Sequence, residues 1–143
     1  MYNNILLPYS FDNDFSNIPD QLKKIVNEKT NITIYHVVTE NELADNVKFH
    51  DKHKTDIIKD KEKEVSPFLR KLDERNINYK FEVAFGHIKE TILKKIKYGD
   101  INTGSFDLII MSNHRNDLNI KYILGDITHK IAKRSPIPVL IIK

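Results

Sequence analysis

Five short apolar segments are spaced along the chain, and helical patterning separates each from the next. They are 4–9, Asn31–Val38, Tyr79–Phe85, 106–111 and Val139–Ile142. Nearly continuous apolar runs of this length are typical of strands covered on both faces of a parallel sheet. Parallel strands need crossover connections, so the alternation predicts a three-layer α/β/α domain with a five-stranded, mainly parallel sheet.

The connecting segments predict the helices, because apolar residues recur in them at helical spacing. These residues are Ile18, Leu22, Ile25 and Val26, then Ile58, Val65, Leu69 and Leu72, then Ile88, Ile92 and Ile96, and finally Ile127 and Ile131. Segment 52–75 is expected to form one helix kinked at Pro67 or two shorter ones, since an interior proline loses a hydrogen bond and clashes with the preceding turn. The polar stretch after Val38 is expected to be a loop.

Length and composition limit the class of protein. The 143 residues suit one domain over 1–143. No run approaches the roughly 18 apolar residues of a membrane span, and the N-terminus lacks a signal-peptide pattern, so a cytoplasmic protein is expected. Cysteine is absent, which excludes thiolate chemistry and disulfides. The net charge of +3 is small and interspersed, so we expect neither nucleic acid nor membrane partners.

Four stretches of the sequence resemble the universal stress protein (UspA-like) family. NNILLPYS resembles its first strand, YHVV its second, and GHIKETILKKI the glycine-then-helix segment before its fourth strand. DLIIMSNHRNDLNIKYILGDITHKIAKRSPIPVLIIK resembles the last third of the family without a gap. The resemblance covers essentially the whole chain. It implies the adenine nucleotide alpha hydrolase-like fold and a role in stress response or signalling.

The resemblance also indicates where a nucleotide would bind. ATP-binding members carry GxxGxxxxxxxxxG followed by Ser or Thr, and these positions fall on Ser112, Arg115, Gly125 and Asp126, of which only Gly125 fits. An acidic residue that closes the first strand in those members is replaced by Ser10. The implied, degenerate nucleotide positions are Pro8, Tyr9, Ser10, Val38, Met111, Ser112, Asn113, Arg115, Gly125, Asp126 and Ile127.

The altered positions remove what a phosphate loop needs. Glycine lets the backbone approach a phosphate and present unobstructed N–H groups, and this loop has no glycine before Gly125. Asp126 is expected to cap the last helix and to occupy the place that a helix N-terminus normally offers to phosphate. We therefore expect no cofactor and no ordinary ATP binding. The alternative is that the protein binds ATP with magnesium, and that Arg115 or Lys121 contacts the phosphates in place of a glycine-rich loop.

Other groupings have simpler explanations than catalysis or metal binding. His50, Asp51, His53 and Asp56 suggest a metal pair, but a charged surface helix explains them equally. Asp12, Asn13 and Asp14 suit a turn as well as a magnesium site. Ser10 lacks a nucleophile elbow, and no triad is visible among His36, His87, His114 and His129. His36, within a strand, is expected to be a buried histidine with its hydrogen bonds satisfied. No metal site and no enzymatic activity are expected.

The last strand has a potential partner. A short apolar strand at a sheet edge presents unpaired N–H and C=O groups. Universal stress proteins commonly dimerise by pairing such strands, so the resemblance implies a homodimer through Val139, Leu140, Ile141 and Ile142. The favoured function is a non-enzymatic, homodimeric stress-response or signalling protein. The alternatives are a nucleotide-binding member with slow hydrolysis and, more distantly, a nucleotidyl transferase, for which no phosphate loop is found.

Overall fold

A computed structural model of the chain describes residues 2–113 and 125–143, in which one or two helices separate successive strands. The elements are β1 Asn4–Pro8, α1 Ile18–Ile25, β2 Asn31–Val38, α2 Glu40–His50, α3 Lys54–Glu74, β3 Tyr79–Phe85, α4 Ile88–Tyr98, β4 Leu108–Ser112, α5 Asp126–Arg134 and β5 Val139–Ile142. Within these ranges, no helix combines the length and hydropathy needed to cross a membrane.

The five strands form one sheet in the order β3-β2-β1-β4-β5, and all neighbouring strands are parallel. The predicted fold class is therefore confirmed. β2, β3 and β5 have their predicted bounds, whereas β4 begins two residues later than expected. Asp107 lies just before β4. Its carboxylate accepts hydrogen bonds from the backbone N–H groups of Asn3 and Asn4, at the start of β1.

Two apolar cores cover the faces of the sheet. On one face, α1 and α3 contribute Ile18, Leu22, Val65, Phe68 and Leu72. On the other face, α4 and α5 contribute Ile92, Ile96 and Ile131. Alternate residues of each central strand point to opposite cores, as Leu6 and Leu7 do in β1. Burial on both faces explains why the strands read as continuous apolar runs.

The segment after Val38 is the helix α2, so the prediction of a loop there was wrong. The hydroxyl of Thr39 accepts a hydrogen bond of 3.2 Å from the N–H of Glu42, which caps the helix. Glu40 and Glu42 place negative charge in the first turn, where the helix dipole favours it. No residue of α2 is buried. The helix therefore has no buried apolar stripe, which is the sequence pattern from which a helix is predicted.

The helix α3 continues through Pro67 as one element, so it is not divided into two. A proline has no N–H, which would leave the carbonyl of Lys63, four residues earlier, without its helical donor. The hydroxyl of Ser66 donates to that carbonyl at 2.8 Å and replaces the missing bond. The buried stripe is also offset from the prediction. Ile57, Val65, Phe68 and Leu72 are buried, whereas Ile58 and Leu69 are only half-buried.

Replacing Pro67 with alanine is expected to stabilise the protein by about 1 kcal/mol. Proline in a helix interior costs about 3 kcal/mol relative to alanine, and part of that cost is already offset by the Ser66 bond. Urea unfolding monitored by circular dichroism measures the change. Ser66→Ala is the matched control and is expected to destabilise the protein. Equal stability of Pro67→Ala and wild type would contradict this explanation.

Candidate functional site

A cavity of about 950 Å³ opens at the carboxyl ends of the central strands. It lies where the strand order reverses between β1 and β4, which is where open α/β sheets bind ligands. Its lining residues are Pro8 at the end of β1, Tyr9, Ser10, Phe11, Asp12, Asn13 and Phe15 after that strand, Tyr35, His36 and Val37 in β2, Thr39 after it, Glu42 on α2, Lys61 and Glu64 on α3, Ile88 and Ile92 on α4, and Met111, Ser112, Asn113, Gly125, Asp126, Ile127 and Thr128 around β4 and α5.

The structure places most of the resemblance-derived positions in this lining. Pro8, Tyr9, Ser10, Met111, Ser112, Asn113, Gly125, Asp126 and Ile127 all contribute to it. Val38 does not, because its side chain is fully buried and its carbonyl accepts a hydrogen bond from the N–H of Gly86 at 3.0 Å. Arg115, Lys121 and His114 lie outside the described residues. The ends of β1 and β4, at Pro8 and Met111, both border the cavity.

The loop after β1 is fastened to the end of β4. The side-chain amide of Asn13 donates to the carbonyl of Ser112 at 3.1 Å, and the hydroxyl of Ser112 donates to the carbonyl of Asp14 at 3.0 Å. Asp14 also accepts a hydrogen bond from the N–H of Ser16. These polar residues therefore join two walls of the cavity. No cluster of three metal-ligating side chains occurs in the described parts of the chain.

The first turn of α5 differs from the prediction. Gly125 is the N-cap and Asp126 the first helical residue, and no side chain of the described residues caps the helix, so the prediction that Asp126 caps it was wrong. The carboxylate of Asp126 instead accepts a hydrogen bond of 3.0 Å from the ammonium of Lys89 on α4. This hydrogen bond holds the pKa of Asp126 below its usual range. The cavity is therefore lined, at the start of α5, by a carboxylate that is ionised at neutral pH.

The glycine of this turn is already engaged. The N–H of Gly125 donates to the side-chain oxygen of Asn113 at 3.0 Å. Its backbone has φ −59°, a conformation that any residue can adopt. Gly125 therefore retains the family position without the left-handed backbone for which glycine is needed, and its N–H already has an acceptor.

His36 lines the cavity, although the sequence analysis did not place it among the site residues. Its side chain lies 8% exposed, and Nδ1 is 2.9 Å from the carbonyl oxygen of Tyr9. Nε2 has no hydrogen-bonding partner among the described residues, so the prediction of a fully satisfied histidine was wrong. Burial lowers the pKa of His36, and it outweighs the opposing effect of the Tyr9 carbonyl. A polar residue inside an apolar strand, close to its carboxyl end, was the available signal.

Aromatic rings and charged groups surround His36. The ring of Phe11 meets the imidazole edge-to-face at 4.8 Å, and Tyr9 lies 5.1 Å from Phe11. Lys61 is only 16% exposed, lies 5.2 Å from the centre of the Phe11 ring, and bonds Glu42 at 2.9 Å. This ion pair joins α2 to α3. The side of the cavity near α3 is therefore aromatic and carries a neutralised ammonium.

His53, between α2 and α3, lies at a helix boundary. His53 precedes α3, and its N–H donates to the carboxylate of Asp56 at 3.1 Å. Asp51 is 3.8 Å from His53, and both side chains are well exposed. An acidic residue that bonds back to the start of its own helix stabilises that start. The explanation by a charged surface helix accounts for this group.

β5 lies at an edge of the sheet, as predicted. The carbonyls of Pro138 and Ile142 accept hydrogen bonds from β4, at the N–H groups of Ile109 and Asn113. Alternate residues of a parallel strand direct their backbone groups to opposite sides, so Val139 and Ile141 direct theirs away from the sheet. The side chain of Leu140 is 39% exposed. The edge therefore offers both backbone groups and apolar surface.

The parallel sheet, the two helix layers and the cavity at the strand-order reversal define a three-layer α/β protein with a cleft at the carboxyl ends of its strands. The model of the universal stress protein family matches residues 1–143, and the chain belongs to that family. No curated protein sequence matches it significantly.

Solved structures agree with this assignment. The hypothetical protein MJ0577 is 26% identical with a TM-score of 0.75, and the match covers 100% of this chain and 96% of that one. The universal stress protein UspA from Lactobacillus plantarum is 20% identical with a TM-score of 0.71, covering 99% and 98%. A universal stress protein from Archaeoglobus fulgidus, solved with dAMP, is 12% identical with a TM-score of 0.65, covering 99% and 98%. The latter two support the fold.

Proposed function

We propose that this universal stress protein is a non-enzymatic, cytoplasmic stress-response or signalling protein that acts as a homodimer and does not hold ATP in the manner of glycine-rich members. It needs no cofactor for this role. The dimer is supported by the edge position of β5 and by the outward backbone groups of Val139 and Ile141. Pairing of two β5 strands about a two-fold axis would cover the β5 edge of each protomer.

The start of α5 carries the proposal about ATP. A phosphate normally binds such a position through free N–H groups and the positive end of the helix dipole. Here the N–H of Gly125 donates to the side chain of Asn113. Asp126 lines the cavity, and its carboxylate accepts a hydrogen bond from the ammonium of Lys89. A triphosphate placed there would meet a like charge and would find Lys89 already paired.

Replacing Asp126 with serine is therefore expected to raise the affinity for ATP with magnesium about tenfold, which corresponds to about 1.4 kcal/mol of binding free energy. The substitution removes the negative charge and supplies the hydroxyl that ATP-binding members carry. Isothermal titration calorimetry measures the affinity. Asp45→Ser, on the exposed face of α2, is a control for the same change in net charge. The proposal fails if wild type binds ATP and magnesium tightly, or if Asp126→Ser binds no better.

A second candidate function is nucleotide binding in an altered mode, with slow hydrolysis as its enzymatic extreme. The cavity favours this candidate, because its 950 Å³ is ample for a mononucleotide. The dAMP complex of the Archaeoglobus fulgidus protein supports it by analogy. Titration with AMP in the absence of magnesium tests it. Saturable binding would support this candidate. The absence of binding at millimolar AMP would exclude it and would favour the first proposal.

A further inference from the structure

The helix layer formed by α4 and α5 carries most of the positive charge of the chain. The two helices hold seven Lys and Arg residues against two acidic ones, a net charge of +5, whereas the whole chain has +3. The remainder of the chain is therefore net negative. The expectation of no membrane partner depended on charges that are interspersed along the sequence, and folding collects them on one face of the sheet.

Four of these cations have no carboxylate partner in the described parts of the chain. The ammonium of Lys89 is 3.0 Å and that of Lys130 is 4.0 Å from the carboxylate of Asp126. Lys95 bonds Glu82 on β3 at 3.0 Å. The other four cations are exposed, and they are Lys94, Lys97, Lys133 and Arg134. Exposed cations without partners attract an anionic surface.

The last turns of α4 and α5 lie at the same end of the molecule. α4 leads into β4 and α5 into β5, and these two strands are parallel neighbours. Both helices therefore end near the starts of the strands, opposite the cavity. Residues at i, i+3 and i+4 share one side of a helix, so Lys94, Lys97 and Tyr98 lie together. That side faces solvent, because Ile92 and Ile96 are buried on the other.

Two apolar side chains are exposed at this end. Tyr98, the last residue of α4, is 71% exposed, and Ile101, in the loop that follows, is 96% exposed. The loop is well fixed, since the backbone N–H groups of Asp100 and Gly104 donate to each other's carbonyls at 2.8 and 2.9 Å. Gly99 has φ +72°, and a Cβ there would lie 2.7 Å from the Gly104 carbonyl oxygen. The chain therefore holds an isoleucine in water beside a group of cations.

We propose that the last turns of α4 and α5, together with Ile101, form a docking surface for an anionic lipid bilayer. The surface consists of Lys94, Lys97, Tyr98, Ile101, Lys133 and Arg134. The negative surface potential of such a bilayer attracts the cations. Ile101 inserts below the headgroups, and Tyr98 lies at the level of the headgroups, where tyrosine is enriched in membrane proteins.

The exposure of Ile101 favours a bilayer over an acidic protein as the partner. A side chain that is 96% exposed makes few contacts with its own chain, so it projects from the surface. A protein partner would need a pocket shaped for this side chain, whereas a bilayer accepts an apolar side chain at any lateral position. The proposal is independent of the cavity, which lies at the other end of the strands.

Co-sedimentation of the full chain with lipid vesicles tests the proposal. We expect binding to vesicles of phosphatidylcholine and phosphatidylglycerol mixed about two to one, and no binding to phosphatidylcholine alone. Binding should weaken as the salt concentration rises, because salt screens exposed charges. Polyglutamate is the second probe, since it has the charge of an acidic partner protein and no apolar interior.

The double variant Lys97→Gln, Lys133→Gln tests the cations. It is expected to bind the anionic vesicles about 30-fold more weakly, at about fivefold for each cation removed. The matched control is Lys48→Gln, Lys59→Gln, which makes the same change in net charge at exposed positions of α2 and α3. The control should bind within about twofold of wild type, because its lysines lie outside the docking surface.

Two substitutions of Ile101 test its insertion. Ile101→Ser should weaken binding about tenfold, whereas Phe49→Ser, at a residue 68% exposed on α2, should bind as wild type does. The chain has no tryptophan, so Ile101→Trp provides a single fluorescent reporter. Its emission should shift to shorter wavelength on addition of anionic vesicles, and that of Phe49→Trp should not. Circular dichroism verifies that every variant is folded.

Four results would overturn the proposal: no binding of wild type to the anionic vesicles, equal loss of binding in the two double variants, unchanged binding of Ile101→Ser, or an emission of Ile101→Trp that the vesicles do not shift. Binding of wild type to polyglutamate and not to the vesicles would also overturn it, and would assign the surface to an acidic protein. Tight ATP binding by wild type would contradict the account of α5 and would leave these outcomes unaffected.

Discussion

Replacing Asp100 with alanine is expected to lower the free energy of unfolding by about 3 kcal/mol, a large fraction of the stability of a domain this size. Asp100, between α4 and β4, is 4% exposed. Its carboxylate accepts hydrogen bonds from the ammonium of Lys80, from the N–H groups of Asn102 and Thr103 at 2.9 and 3.0 Å, and from the hydroxyl of Thr103. Removing it leaves these part-buried donors without their acceptor.

The estimate lies at the lower end of what loss of one partner of a buried ion pair costs, because Lys80 retains partial contact with solvent. Guanidinium unfolding followed by circular dichroism provides the measurement. Asp20→Ala is the matched control, since Asp20 is an exposed partner of Arg75 and exposed pairs contribute little. If Asp100→Ala proved no more destabilising than this control, the carboxylate would not organise the loop.

The same carboxylate predicts a dependence of stability on pH. Burial alone would raise the pKa of Asp100, but the Lys80 ammonium and the two backbone N–H groups outweigh it and hold the pKa well below its usual range. As the pH falls, the unfolded chain therefore takes up a proton that the folded chain does not, and the contribution of Asp100 is lost from about pH 5 downward. Asp100→Asn should lose stability less steeply over that range than wild type.

Replacing Ile141 with proline is expected to convert the proposed homodimer to monomers, with a dissociation constant raised about 100-fold. Ile141 directs its N–H away from β4, so proline removes a donor from the free edge without removing one from the sheet. A two-fold interface doubles every change, and two lost hydrogen bonds amount to about 2.7 kcal/mol. Size-exclusion chromatography with light scattering over a range of concentrations measures the effect.

Ile141→Val is the matched control, because it keeps the N–H and removes a single methylene. It is expected to remain dimeric. Circular dichroism of Ile141→Pro should retain the wild-type spectrum, since proline suits the backbone of an edge strand. A wild-type chain that is monomeric at all concentrations, or a proline variant that dimerises as wild type does, would contradict the edge-pairing proposal.

Two helices differ from the sequence analysis because hydrogen bonds of single side chains, and not the apolar pattern, determine where these helices begin and continue. α2 was missed because a helix without a buried face shows no apolar period, and its signal is the Thr39 cap. α3 was expected to be one helix kinked at Pro67 or two shorter ones, and it is one helix, in which a neighbouring serine supplies the bond that proline lacks. In both cases a side-chain hydrogen bond within one turn decided the outcome.

The site depended more heavily on tertiary contacts. The prediction that Asp126 occupies the start of α5 named the right residue and the wrong partner, since its carboxylate bonds Lys89, a residue 37 positions away on another helix. The unpaired nitrogen of His36 could not be seen from its neighbours in sequence. The nitrogen is buried, and His36 lines the cavity beside the loop that follows β1.

The sequence by itself determined the parallel α/β architecture, the family and the place of the cleft, because burial on both faces of a sheet imposes an apolar pattern that each strand carries within its own few residues. Only the tertiary structure decided which hydrogen bonds the residues of the cleft make. The bonds of Asn13 to Ser112, Asn113 to Gly125 and Lys89 to Asp126 join separate elements. Hydrogen bonds between distant residues leave no periodic trace in a sequence, since each depends on distance and direction in space.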